Sequence, residues 1–340
     1  MSEVARILED VRERGDVALR EWALELDGVE PRLAEPAGEV PAQAIQALAA
    51  AVRRWHALQR PVDVQLEIAP GVELTRRWHP LASVGIYVPR GLVSTLVMCA
   101  VPAQVAGVER IVVATPPSGS GLVAAAARLL GLEEVWALGG PAAIAAFAFG
   151  TDSLPKVDKI VGPGNAYVNE AKLLVSRDVA IDLPAGPSEV VVLAGPDADD
   201  QIAQLELAAQ AEHGPDAVCR LVPVDGDAER ALAEVEALAP EHLVLLGAEA
   251  EALAGRVRRA GSVFVGRFAA VAAGDYATGA NHVLPTGGWA RSVGGLGLET
   301  FLKPITLQRL TEQGLASVRP TVEALAAAEG MPAHAAAVRR

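Results

Sequence analysis

Apolar residues recur at helical spacing from residue 3 to 26. Val4, Ile7, Leu8 and Val11 form one stripe and Val17, Leu19, Trp22 and Leu24 another, which predicts two helices split at Gly15 and Asp16. A further helix is expected from Ala42 to Leu58. Between residues 64 and 89 the pattern turns to alternation, and Val72-Glu-Leu-Thr and Val84-Gly-Ile-Tyr-Val-Pro read as strands. A regular rhythm then begins. A helix from Thr95 to Val105, interrupted by Pro102, precedes a buried strand at Arg110. An Ala-rich helix over Leu122 to Leu130, a strand at Val135, a helix from Ala142 to Phe149 and a strand at Lys159 follow. That strand runs into a glycine-rich turn and a helix to about Val175. The rhythm repeats after Asp182. Strands start at Glu189, Val218, Leu243 and Ser262, with helices over Asp199 to His213, over Ala228 to Leu238 and up to Ala260. A helical tail is expected from about Thr306. Continuous Val/Ile strands alternating with helices predict an α/β fold of two doubly wound units, their parallel sheets covered on both faces.

Composition narrows this picture. With 340 residues, 51% of them hydrophobic, the chain can bury a large core, and its length suits about two domains. A formal net charge of −13 repels phosphate backbones and argues against a nucleic-acid partner. Cys99 and Cys219 sit in apolar runs without CxxC spacing and read as buried free thiols of a reducing compartment. Residues 1 to 15 are charged throughout, unlike a signal peptide, and no apolar run reaches membrane-spanning length. A soluble cytoplasmic protein is the expectation.

Candidate chemistry concentrates in the second half. The helix from Asp199 ends near His213, because Gly214 can terminate it and Pro215 cannot continue it. Gln210 and His213, three apart, then share a face at the helix C-terminus. An imidazole is a good zinc ligand and an amide oxygen a tolerable one, although an ordinary helix end capped by histidine accounts better for this segment taken alone. Glu241-His242 opens a strand and can serve as an acid/base pair or stand as a solvated loop pair. Residues 274 to 286, with Asp275 and His282, read as a long polar loop in an apolar chain, which marks function. Glu329 and His334 stand in the tail. The turns at Gly139-Gly140 and at Gly162 to Asn165 are weak signs of phosphate binding, since neither carries a full G-x-G-x-x-G fingerprint.

Five segments, taken together and in order, resemble the histidinol dehydrogenase family. They begin at Gly162-Pro-Gly-Asn-Ala-Tyr-Val, Ala185-Gly-Pro-Ser-Glu-Val, Gln210-Ala-Glu-His-Gly-Pro-Asp, Pro240-Glu-His-Leu and Gly274-Asp-Tyr-Ala-Thr-Gly-Ala-Asn-His-Val. The resemblance implies an enzyme that oxidises L-histidinol to L-histidine in two steps with two NAD molecules. It implies a zinc ion (Zn2+) held by Gln210, His213, Asp275 and His334, the last from the neighbouring subunit of a homodimer. Zinc would orient the substrate and not act as the redox centre. Ser188, His282 and Glu329 match substrate-binding positions, beside the zinc ligands and His242. Glu241 and His242 match the acid/base pair, and Tyr87 and Asn165 match positions that contact NAD. The implied organisation is a discontinuous Rossmann-like domain over 1–86 and 189–297, a second Rossmann-like domain over 87–188 and a helical dimerisation tail over 298–340.

The chain departs from the family pattern at four places. The turn Val88-Pro-Arg90-Gly-Leu is shortened and carries Arg90 in place of glycine. Ala142 stands where the family has a glutamine that contacts NAD. The stretch from His213 to Glu241 is short by about one helix and one strand, and the family's N-terminal extension is expected to be missing. Two other readings share these residues: a relative acting on another polar alcohol, and a zinc- or ligand-binding homologue with weak redox activity. Retention of both Glu241 and His242 speaks against the pure binder.

Overall fold

A computed structural model of the chain describes residues 2–183 and 186–340. The first residue of the Ala185 motif therefore lies outside the described residues. In chain order the strands are β1 (Arg32–Leu33), β2 (Val64–Ala69), β3 (Val72–Pro80), β4 (Ser83–Tyr87), β5 (Arg110–Thr115), β6 (Val135–Ala137), β7 (Lys159–Val161), β8 (Ala180–Ile181), β9 (Glu189–Ala194), β10 (Val218–Pro223), β11 (His242–Leu246), β12 (Ser262–Val265) and β13 (Leu302–Leu310). They divide into a six-stranded sheet β1-β6-β5-β4-β7-β8, a four-stranded sheet β10-β9-β11-β12 and a three-stranded sheet β13-β3-β2.

In the six-stranded sheet every pair is parallel except β1 with β6. Counted from β4, its five parallel strands run 3-2-1-4-5, the order of a dinucleotide-binding half-fold. Successive strands are added on one side of β4 and then on the other. The order therefore reverses between β4 and β7, where such sheets open a crevice at their carboxyl ends. The two N-terminal helices, Glu3–Arg14 and Asp16–Asp27, cover this sheet, and their stripe residues Val4, Ile7, Val11 and Trp22 join one core with Val112, Phe147 and Ile160. Each fully buried side chain of this size contributes about 1.5–3 kcal/mol. Helix Val93–Ala106 runs through Pro102 without a break, since almost all of it is buried and packing holds it.

The four-stranded sheet is parallel throughout. β9 and β11 lie side by side at its centre, with His242 opposite Val190. β10 is an edge strand with five of its six residues exposed. Cys219 is consequently exposed, against the expectation of a buried thiol, while Cys99 is buried as expected. The helix expected up to Ala260 is reduced to Ala248–Glu251 and a short turn of 3-10 helix at Ala254–Arg256.

The described chain divides into two compact units, Met1–Gln59 with Leu81–Phe301, and Arg60–Pro80 with Leu302–Arg340. The second holds the three-stranded antiparallel sheet and the helices Glu312–Ala328 and Pro332–Ala337. The tail thus opens with a strand and not with a helix near Thr306. All nine residues of β13 pair with β3, a partner far away in sequence that no local pattern reveals. This unit buries little of itself. Val64, Leu66 and Ile68 are exposed along β2, as are Ile305 and Leu307 of β13. No helix among the described residues is long and apolar enough to cross a membrane.

Candidate active site

A cavity of about 360 Å³ lies where the crevice of the six-stranded sheet meets the amino ends of β9 and β11. On one side it is lined by the turns that follow β4 and β7, including Pro89, Leu92, Gly162, Pro163 and Gly164. On the other side stand Ser188, His213, Glu241, His242, Asp275 and His282.

Parallel pairing of β9 with β11 fixes the reactive pair. Glu241 immediately precedes β11 and is 6% exposed. Its Oε2 accepts from Ser188 Oγ at 2.7 Å and from the Glu189 backbone N–H at 2.8 Å. Burial nevertheless pushes its carboxyl up to about 7; the Ser188 hydroxyl and the Glu189 amide pull the other way without overcoming it. His242 lies beside it, Nδ1 3.5 Å from Oε2 of Glu241. Burial lowers the imidazole below its usual range, opposed by the Asp275 carboxylate. The carboxyl is thus moved toward neutral pH, and the imidazole is held uncharged there.

Backbone carbonyls set the tautomers of three histidines. Nδ1 of His242 lies 3.1 Å from the carbonyl of Glu189, Nδ1 of His213 3.1 Å from that of Gln210, and Nδ1 of His282 3.2 Å from that of Asp275. A carbonyl can only accept, so each Nδ1 carries the hydrogen and each Nε2 keeps its lone pair. Nε2 of His242 is buried without a partner, 3.9 Å from Asp275 Oδ1. Nε2 of His282 faces the buried Thr95 hydroxyl at 3.5 Å, and burial lowers this imidazole to about 4.

Asp275 sits on the short helix Val271–Tyr276, not in a loop as the composition of its segment suggested. Burial raises its carboxyl, and the neighbouring His242 and His213 pull it back. Gln210 is 3% exposed, and its Nε2 has no hydrogen-bond partner. The open Nε2 of His213 and the Asp275 carboxylate within electrostatic reach of it are of the donor types that zinc takes; the unpartnered Gln210 Nε2 is an N–H donor, and only the amide oxygen of that residue could ligate. Among the described residues no three His, Cys, Asp or Glu side chains of one chain converge as a metal cluster.

The remaining predicted residues fall outside the cavity lining. Tyr87 is 3% exposed, and its hydroxyl accepts from the Gly140 N–H at 3.2 Å. The Asn165 side chain caps helix Ala166–Val175 by accepting from Val168 N. Glu329 and His334 are exposed residues of the second unit, on and after the end of helix Glu312–Ala328. Arg90 is exposed in the turn after β4, and Ala142 is 1% exposed inside the core. Sequence reasoning passed over Glu189. Its carboxylate accepts from the backbone amides of Glu241 and Gly287, while its carbonyl orients His242. Its place directly after Ser188 in a matched motif was the available signal.

Sheet order, crevice and the buried carboxyl–imidazole pair define an α/β protein of the dinucleotide-binding type with a candidate acid/base site. Comparison with known proteins takes this further. The family model for histidinol dehydrogenase matches residues 1–234 and 221–340. Histidinol dehydrogenase of Pectobacterium atrosepticum is 41% identical over 388 aligned positions, covering 98% of this chain and 88% of that one. That of Halobacterium salinarum is 42% identical over 390 positions, covering 99% and 92%. A crystal structure of histidinol dehydrogenase from Elizabethkingia anophelis matches with a TM-score of 0.89 at 34% identity, covering 98% of this chain and 90% of that one. The chain belongs to the histidinol dehydrogenase family. The aligned stretches are longer than its 340 residues, so these relatives carry segments it lacks. The two parts of the family match overlap at 221–234, between the start of β10 and β11.

Proposed function

We propose that the protein is a zinc-requiring, NAD-dependent dehydrogenase that oxidises L-histidinol to L-histidine through the aldehyde, in the cytoplasm, as a homodimer with shared active sites. The observation that carries this reading is the Glu241–His242 pair: adjacent, buried, moved in opposite directions along the pH scale and set into a dinucleotide-type crevice. Zinc would be held by Gln210, His213, Asp275 and a His334 supplied by a second copy of the chain, and when bound it anchors the substrate's imidazole and amino nitrogens. Tyr87 and Asn165 would hold NAD at the switch point, where it would supply the hydride acceptor for both oxidations. Ser188, His282 and Glu329 complete the substrate contacts.

The chain's own residues then divide the proton work. Nε2 of His242, uncharged and unpartnered, takes the alcohol proton as hydride leaves the carbinol carbon. Glu241, ionised above about pH 7, takes a proton from the water that adds to the aldehyde. His242 returns its first proton to the aldehyde oxygen as water adds, and so is free to take a hydroxyl proton again as the hydrate loses its hydride and becomes the acid. The exposed apolar strands of the second unit, which leave Val64, Leu66 and Ile68 uncovered, support a partner subunit over that surface.

The test is NADH absorbance with L-histidinol and added zinc; no NADH beyond the rate of a zinc-stripped control overturns the reading. Two inactive variants, His334→Ala and His242→Ala, should regain part of the activity after subunit exchange, since one site of each mixed dimer carries both native residues. A mixture that stays inactive although exchange is demonstrated refutes the shared site.

A further inference from the structure

The turn after β7 is held by an ion pair that the chemistry above does not use. Lys172, on helix Ala166–Val175 behind the turn, is 1% exposed. Its Nζ donates to Asp182 Oδ1 at 2.5 Å and to the carbonyl of Gly162 at 2.8 Å. Asp182 in turn accepts from the Gly162 N–H through Oδ2 at 2.7 Å. Both backbone polar groups of one glycine are thus tied to a single buried pair. Gly162 has φ +105°, and a side chain there would stand 2.2 Å from the carbonyl oxygen of Tyr87 at the end of β4. The pair therefore pins the turn directly against β4, across the point where strand order reverses. Lys172 and Asp182 also line the same cavity as Glu241 and His242.

Stability alone does not call for such a device. Burying an ammonium and a carboxylate is costly, and two apolar residues of similar volume generally serve a core as well or better. What the apolar pair cannot do is hold both the N–H and the C=O of Gly162 at fixed directions. We propose that Lys172 and Asp182 are positioning residues: their ion pair sets the shape of the Gly162 turn so that the crevice accepts the nicotinamide dinucleotide. This rests on the proposal that NAD occupies that crevice.

The test uses zinc-loaded protein and three readouts: NADH binding by fluorescence, L-histidinol binding by calorimetry, and thermal melting. The double variant K172M/D182L removes both charges. It is expected to melt lower than the wild type, since the buried Gly162 N–H and C=O lose their partners, but to remain folded at the assay temperature and bind L-histidinol unchanged, yet to bind NADH about tenfold more weakly. If it folds and binds NADH like the wild type, the pair is merely structural and the proposal is overturned. If NADH and L-histidinol binding fall together, the pair shapes the whole cavity and the specific claim is likewise overturned. Should the double variant not fold, K172M alone, in which Asp182 can take up a proton, carries the same expectations. Failure of the wild type itself to bind NADH would overturn the cofactor reading, and this inference with it, before any variant is compared.

Discussion

The two edges that meet at the cavity are built on opposite plans. The six-stranded sheet brings the turns after β4 and β7, and what it offers is mainly backbone, held in place by Gly162 and its buried ion pair. The four-stranded sheet brings the amino ends of β9 and β11, and what it offers is ionisable side chains, each fixed by the backbone of a neighbouring segment. Arg90 and Ala142 both belong to the first side, Arg90 exposed in the turn after β4 and Ala142 buried in the helix core behind it. On the other side the proposed chemistry rests on the side chains of Glu241 and His242 themselves.

The largest effect should come from the side-chain edge. Replacing His242 by alanine removes the proton acceptor, and both oxidation steps should slow by roughly 10²–10⁴-fold. Stopped-flow NADH formation from L-histidinol and from its aldehyde measures this. A loss confined to one step would contradict the assignment. Substitutions at Tyr87 or Asn165 should cost much less, because their polar atoms are already committed to Gly140 and to a helix cap.

Acidity gives the second comparison. The folded-state carboxyl of Glu241 is raised to about 7, so its burial favours the protonated form. Stability linked to it is fully present below the ordinary carboxyl value and is lost as pH rises through about 7. For zinc-free protein the loss is about 3 kcal/mol at most, and Glu241→Gln should abolish it. Chemical denaturation at pH 5 and pH 8 tests this: wild type should weaken at the higher pH relative to the variant, and equal pH dependence of the two proteins would contradict the buried-acid account.

On the backbone edge, placing at position 142 the glutamine that the family resemblance implies should not tighten NAD. Ala142 is 1% exposed within the core formed by Ile144, Phe147 and Trp22. A longer side chain there overpacks the core and should cost about 1–3 kcal/mol of stability, read as a lowered melting temperature. A stable A142Q with tighter NADH binding would show that the core yields more readily than its packing implies. The smallest effect is expected at Ser188. Removing its hydroxyl from Glu241 should move the pH profile of aldehyde oxidation upward by about one unit; a downward shift would mean that Ser188 is not a donor to the carboxylate.

Much of this was legible in the sequence, for specific reasons. The α/β rhythm follows from apolar runs whose length and β-branched content distinguish strand from helix; β4 to β7 and β9 to β12 fall where that pattern puts them, whereas the two-residue β8 is too short to leave a pattern. Gln210, His213, Glu241 and His242 stand out because they lie beside Gly or Pro at element ends. Three features were hidden. β13 is stabilised by pairing with β3, a contact with no local signature. Cys219 looks buried because its strand is apolar, but β10 is an edge. Asp275 looked like a loop residue because its segment is rich in polar residues, yet it lies in a helical turn in which Phe264 packs closely against Gly274. The roles of Glu189 and Lys172 depend on bonds to distant backbone and required the structure.

The central claim is that one cavity performs two oxidations, with His242 serving both and Glu241 the second. It is tested most directly by counting NADH. With limiting L-histidinol and excess NAD, the wild type should form two NADH per substrate, whereas Glu241→Gln should form the first at close to the normal rate and stall before the second. Two NADH from Glu241→Gln at the unaltered rate would contradict the account.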